Sequence, residues 1–122
     1  MVEVRFSLVS QRVDRESSGS IGPLSYFLVT QLPGPKWDRS RPRREQHGWD
    51  EHAAYVDGLA ERGVIVLGGP LGKPDYGPAL LVFAAKSEDE IRRHLADDPW
   101  MNTILTVETI EPWTIWIGSL AR

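Results

Sequence analysis

The chain has 122 residues, 41% of them hydrophobic and 25% charged, which suits one packed domain and is too short for two ordinary ones. Its net charge of −3 runs against a phosphate-tracking surface, so no nucleic-acid partner is expected. The absence of cysteine excludes disulfides, thiolate metal sites and a cysteine nucleophile.

Val2, Val4, Phe6 and Leu8 alternate as a half-buried strand does, but Glu3 and Arg5 interrupt the patch, unlike a signal-peptide core. The polar stretch QRVDRESSGSIGPLS follows. Residues 1–25 therefore read as an arm and linker, residues 26–118 as the α+β domain and residues 119–122 as a tail. No apolar run is long enough to cross a bilayer. We expect a cytoplasmic protein without membrane contact.

YFLVTQL, Tyr26 to Leu32, reads as the first strand, closed by the breaker-rich PGPKWDRSRP. The basic cluster RSRPRR, Arg39 to Arg44, is short and followed by Glu45, Asp50 and Glu51. It reads as a solvated helix entrance that could also hold a small anion. A helix begins between Ser40, a candidate N-cap ahead of Pro42, and Gly48. It carries Trp49, His52, Val56 and Leu59 at three-and-four spacing, so His52 faces inward, and Gly63 terminates it.

VIVLGG, Val64 to Gly69, is the second strand, and ALLVFAA, Ala79 to Ala85, the third, joined by a long loop expected to be mobile. Ser87 and Glu90 have capping-box spacing and open a second helix with Ile91 and Leu95 on its apolar side, stopped by Pro99. A last strand lies within LTVETIEPWTIWIG, interrupted at Pro112.

This βαββαβ order matches the ferredoxin-like motif, an antiparallel sheet with both helices on one face. The strands are apolar at consecutive positions, whereas a sheet with one wet face should alternate. A homodimer through the sheet faces would cover the side the helices leave bare.

WDEHAAYVDGLAERGVIVLGGPLG, LLVFAAKSEDEIRRHLADDPW and IEPWTIW, taken in order, resemble the YCII-related (YciI-like) family. The shared features are a helix with a histidine, a terminating glycine, a strand running into Gly-Pro, a helix ending in Asp-Pro-aromatic and a final Pro-Trp strand. The resemblance implies a dimeric α+β barrel and a His-Asp dyad, which falls here on His52 and Asp98. That family includes a dehydrochlorinase of a hydroxylated aromatic, and the N-terminal arm departs from its pattern.

Asp98 lies in register with Ile91 and Leu95, on the sheet side of the second helix. A carboxylate on one ring nitrogen of His52 would fix the tautomer and leave the other free to take a proton. The alternative is a core histidine with a satisfied hydrogen bond and an aspartate at an ordinary helix exit. Among Trp37, Trp49, Trp100 and Trp113, we expect Trp49 and Trp100 to wall a pocket. Arg44 and Gln46 either orient a polar substrate group or sit on the surface.

No metal site is expected, since His47 and His52 are five apart and share no helical face. His94, which follows Arg92 and Arg93 in the chain, reads as a surface residue. GGPLG leads into a proline-rich loop rather than a helix, so no nucleotide cofactor is expected. Two functions follow. The first is a cofactor-independent acid/base enzyme acting on a small organic, cyclic or aromatic molecule. The second is a non-catalytic small-ligand-binding or interaction module acting as a dimer.

Overall fold

The computed structural model describes residues 24–118. What was expected of the arm before Leu24 and of the tail at 119–122 lies outside the described residues. The elements are β1 (Ser25–Pro33), a 3-10 turn (Arg43–Glu45), α1 (Trp49–Glu61), β2 (Ile65–Pro70), β3 (Ala79–Ala85), α2 (Glu88–Ala96) and β4 (Leu105–Pro112). The strands form one antiparallel sheet in the order β2-β3-β1-β4, so the chain is α+β with four strands and two helices.

The core lies on one side of the sheet. Phe27 and Val29 of β1, Ile65 of β2 and Leu81, Phe83 and Ala85 of β3 pack there against Leu59 and Ala60 of α1 and Ile91 and Leu95 of α2. Strict alternation along β1 buries Phe27, Val29 and Gln31. On the other side Val82 is buried, while Tyr26, Leu28, Leu80 and Ala84 are half-buried.

Local signals set the helix ends. The 3-10 turn precedes α1, and Gly48 is its N-cap at φ +80°, so the helix starts at the later of the two candidate positions. A Cβ on Gly48 would approach Trp100 Nε1 to 3.3 Å, which gives a second reason for glycine beyond its left-handed backbone. At the other end Gly63 has φ +78°. Its N–H donates to Ala60 O at 3.1 Å while Val64 N–H donates to Leu59 O at 2.9 Å, the paired bonds of a Schellman ending. For α2, Ser87 Oγ accepts from Glu90 N–H at 3.2 Å. The Glu90 carboxylate reaches one residue beyond the usual capping-box partner, to Lys86 N–H at 2.8 Å.

The β2–β3 loop has anchors that the sequence does not announce. Rather than hanging free, it is tied to the 3-10 turn: Arg43 N–H donates to Asp75 O at 3.0 Å. Arg43 Nε donates to Pro74 O at 3.1 Å and Nη2 to Gly77 O at 2.8 Å. One arginine thus satisfies several loop carbonyls that periodicity cannot see. β4 stops at Pro112, as a residue without an N–H should stop it, although Trp113 N–H still donates to Tyr26 O at 2.9 Å.

Candidate functional site

The first helix presents one side to the sheet, and His52 stands on it one turn after Trp49. The second helix ends at Ala96, and Asp98 N–H folds back on Leu95 O at 3.0 Å. This tight exit turns the Asp98 side chain inward, where it is 5% exposed. The two side chains meet: His52 Nδ1 lies 2.9 Å from Asp98 Oδ1 and 3.0 Å from Oδ2. Oδ1 also accepts Trp100 N–H at 2.9 Å, so the carboxylate is held by its own exit turn before it touches the histidine.

Nδ1 is the donor to the carboxylate, which leaves Nε2 as the ring's acceptor in the neutral form. Trp100 fixes the ring plane. Its indole stacks on His52 at 4.1 Å between centroids and 7° between planes, and its Nε1–H donates to His47 O at 2.7 Å. Trp49 lies 5.8 Å from the His52 ring and 5.7 Å from that of Trp100. Trp37 meets Trp100 edge-on at 6.5 Å, and the Arg43 guanidinium sits 5.3 Å above Trp37, within cation–π range.

The exposed edge of His52 faces a cavity of about 390 Å³ between α1, the sheet and the β2 edge. Trp49, Val56, Ile65, Leu81 and Leu105 supply apolar wall; Gln31, Arg43 and Arg44 are the other polar residues lining it. Such a mixture, apolar with a few convergent polar groups, is what small-molecule sites have in common.

The expected site residues separate into two groups. His52, Trp49 and Arg44 line the cavity, and Asp98 stands behind His52. Trp100 is not a wall of the cavity; it is buried behind the histidine ring. Gln46 is turned away into its own loop: its Oε1 accepts Asp38 N–H at 2.8 Å, and its Nε2 donates to Asp38 O at 2.8 Å and Arg41 O at 2.9 Å. With both amide hydrogens used, it shapes the loop rather than a ligand contact. Trp113 is exposed and does not line the cavity.

Gln31 lines the cavity without any sign in the sequence, and Arg43, read there only as one of a basic cluster able to hold a small anion, lines it too. Burial pushes the Arg43 guanidinium below its ordinary pKa, opposed by the carboxylate of Asp75. Among the described residues no three His, Cys, Asp or Glu side chains cluster as a metal site, and no helix is long and apolar enough to cross a membrane. No family model, curated protein or solved structure matches the chain.

Proposed function

We propose that this protein is a cofactor-independent acid/base enzyme of the YCII-related kind: a cytoplasmic, ferredoxin-like homodimer that moves a proton on a small cyclic or aromatic molecule. The observation that carries the reading is a buried carboxylate gripping one nitrogen of a histidine whose other edge meets an apolar cavity. Nε2 of His52 takes a proton from an acidic C–H or O–H of the bound molecule. The positive charge that appears on the ring is stabilised by Asp98 at Nδ1 and by the face of Trp100. His52 then returns the proton, either to another atom of the same molecule or to a group leaving from the adjacent carbon. Asp98 touches no substrate and acts as a positioning residue; Trp49 packs beside the reacting body.

The test is proton exchange and elimination in D2O, followed by NMR across a panel of cyclic carbon acids and halogenated phenols. At least one panel member should exchange or eliminate with the wild type. His52→Ala should lower that rate by about 10²-fold or more, and Asp98→Asn by about 10²- to 10⁴-fold, with KM little changed. A wild type that binds panel members saturably, turns none over, and loses affinity on either substitution would instead be a ligand-binding module.

A further inference from the structure

Three polar groups of the cavity wall, Gln31, Arg43 and Arg44, have no part in the proton transfer. Gln31 projects from the middle of β1 on the core side, is 2% exposed, and its Nε2 is buried with no hydrogen-bond partner. An unpaired amide nitrogen in a core is costly, and an apolar side chain of similar size would fill the same space without that cost. Sheet and packing therefore give no reason for glutamine at this position. A ligand oxygen would.

Arg43 makes the same demand as a charge. It is 8% exposed, and its bonds go to the Pro74 and Gly77 carbonyls and to the face of Trp37. None of the ion pairs among the described residues includes it. Arg44, next to it in the same turn, also lines the cavity, whereas no acidic side chain does. Asp75 acts on Arg43 only through space, without an ion pair, and a buried cation held that loosely is unfavourable unless a closer charge is supplied.

We infer that the molecule bound here is a small aromatic acid whose anionic oxygen accepts a hydrogen bond from Gln31 Nε2 and offsets the charge of Arg43, its ring lying along the apolar wall beside His52. This rests on the acid/base reading of the same cavity and names the class of molecule it takes. Carboxylate and phenolate oxygens share the required chemistry. The acceptor fills the orphaned amide, and the charge answers the guanidinium.

Benzoate and its neutral isostere benzamide separate this from a merely apolar cavity. Each is titrated into the full chain with tryptophan fluorescence as the readout, since Trp49 stands in the wall. Benzoate should bind about tenfold more tightly than benzamide, the scale of one charge-assisted hydrogen bond. Gln31→Met should weaken benzoate by about tenfold while leaving Tm unchanged or higher, because the group removed was unsatisfied. Arg43→Met should also weaken benzoate but lower Tm, as the loop loses its tie; Gln31→Met keeps the test decisive if that variant does not fold.

Equal affinity for the two probes, or a Gln31→Met protein that binds benzoate like the wild type, overturns the inference. So does a fall in Tm on Gln31→Met with benzoate affinity unmoved, which would make the amide structural. His52→Ala should hold benzoate within about threefold, because the anion is held by Gln31 and Arg43. Loss of turnover in that variant bears on the acid/base reading, and loss of benzoate discrimination in the others bears on the ligand class.

Discussion

Trp100 shows how much one side chain can fix in a small site. Its backbone N–H holds the Asp98 carboxylate, its ring backs the imidazole of His52, and its Nε1–H anchors the chain at His47 O. Trp100→Phe keeps an aromatic face for the histidine but loses the last bond. His47 is exposed, so water can take over its carbonyl, and the loss should stay near the low end for a buried hydrogen bond. We expect about 1–2 kcal/mol in urea unfolding, including the volume removed. His94 makes a second prediction at this scale. Expected on the surface, it is half-buried, and burial holds its pKa below the ordinary 6.5; Glu90 and Asp97 pull upward, and Arg62 and Arg93 downward. A depressed folded-state pKa means that the unfolded chain binds the proton first as pH falls. The stability associated with His94 is therefore intact above about pH 6.5 and is lost as pH drops through the lower folded value. Subtracting a His94→Asn melting profile from that of the wild type should give a difference that changes below that point and is flat above it. An inward His52 follows from the helical repeat, whereas Asp98 as its partner was implied by the family resemblance; the exit turn after Ala96, not the repeat, aims its carboxylate. Gln31 was not legible, and Arg43 was legible only as a member of a basic cluster. A glutamine between strand residues looks like a solvent position until the alternation from Phe27 is followed through it. Arg43 is chemically identical to its neighbours until a loop more than thirty residues later folds over it.

At the scale of elements, the strands and helices fall close to where periodicity and caps place them, because each carries its own punctuation: Pro33 at the end of β1, Gly63 after α1, Ser87 before α2, Pro112 at the end of β4. What the sequence conceals is pairing. β4 carries an extra residue between the partners of Thr30 and Gln31, and β2 carries one between the partners of Phe83 and Val82; both bulges depend on strands distant in the chain. The bulge in β2 is followed by Gly68, and there a glycine has a steric reason that sequence alone cannot supply. A Cβ at this position would stand 2.5 Å from Leu81 Cδ2 and 2.9 Å from Leu80 O. The leucine side chain can turn aside, but the carbonyl belongs to the backbone of β3, so β2 would have to draw back from its partner. Gly68→Ala should therefore destabilise by about 1–3 kcal/mol, the range for overpacking. Leu81 lines the cavity, so displacing it should also weaken benzoate binding; Gly69 lines the cavity too, but its Cβ would meet nothing within 4 Å, so Gly69→Ala should leave Tm unchanged and displace no wall residue. Thermal melts of the two variants, run side by side with the benzoate titration, check the contrast.

For the whole molecule, the open question is what covers the apolar surface that one chain leaves exposed. Beyond β4 the chain carries Trp116 and Ile117 at 88% and 93% exposure, with Trp113 and Leu67 about half exposed. Burying a large apolar side chain is worth about 1.5–3 kcal/mol, so a pair left in water is a substantial unrealised gain. The homodimer proposed above would cover this surface with a second copy of the chain. β1, β2 and β3 are apolar at consecutive positions, as strands covered on both sides require, while both helices lie on one side of the sheet. A twofold partner brings the same excess of apolar surface and closes the assembly without leaving an end for further growth. Sedimentation equilibrium should then give twice the 13.7 kDa chain mass. Trp116→Ser combined with Ile117→Ser should raise the dissociation constant by about tenfold or more, with the Tm of the dissociated form kept, since neither residue belongs to the core. A wild type that sediments as one chain at about 100 µM, a concentration at which a micromolar dimer is mostly formed, would remove the partner and leave the cavity beside His52 as the work of a single chain.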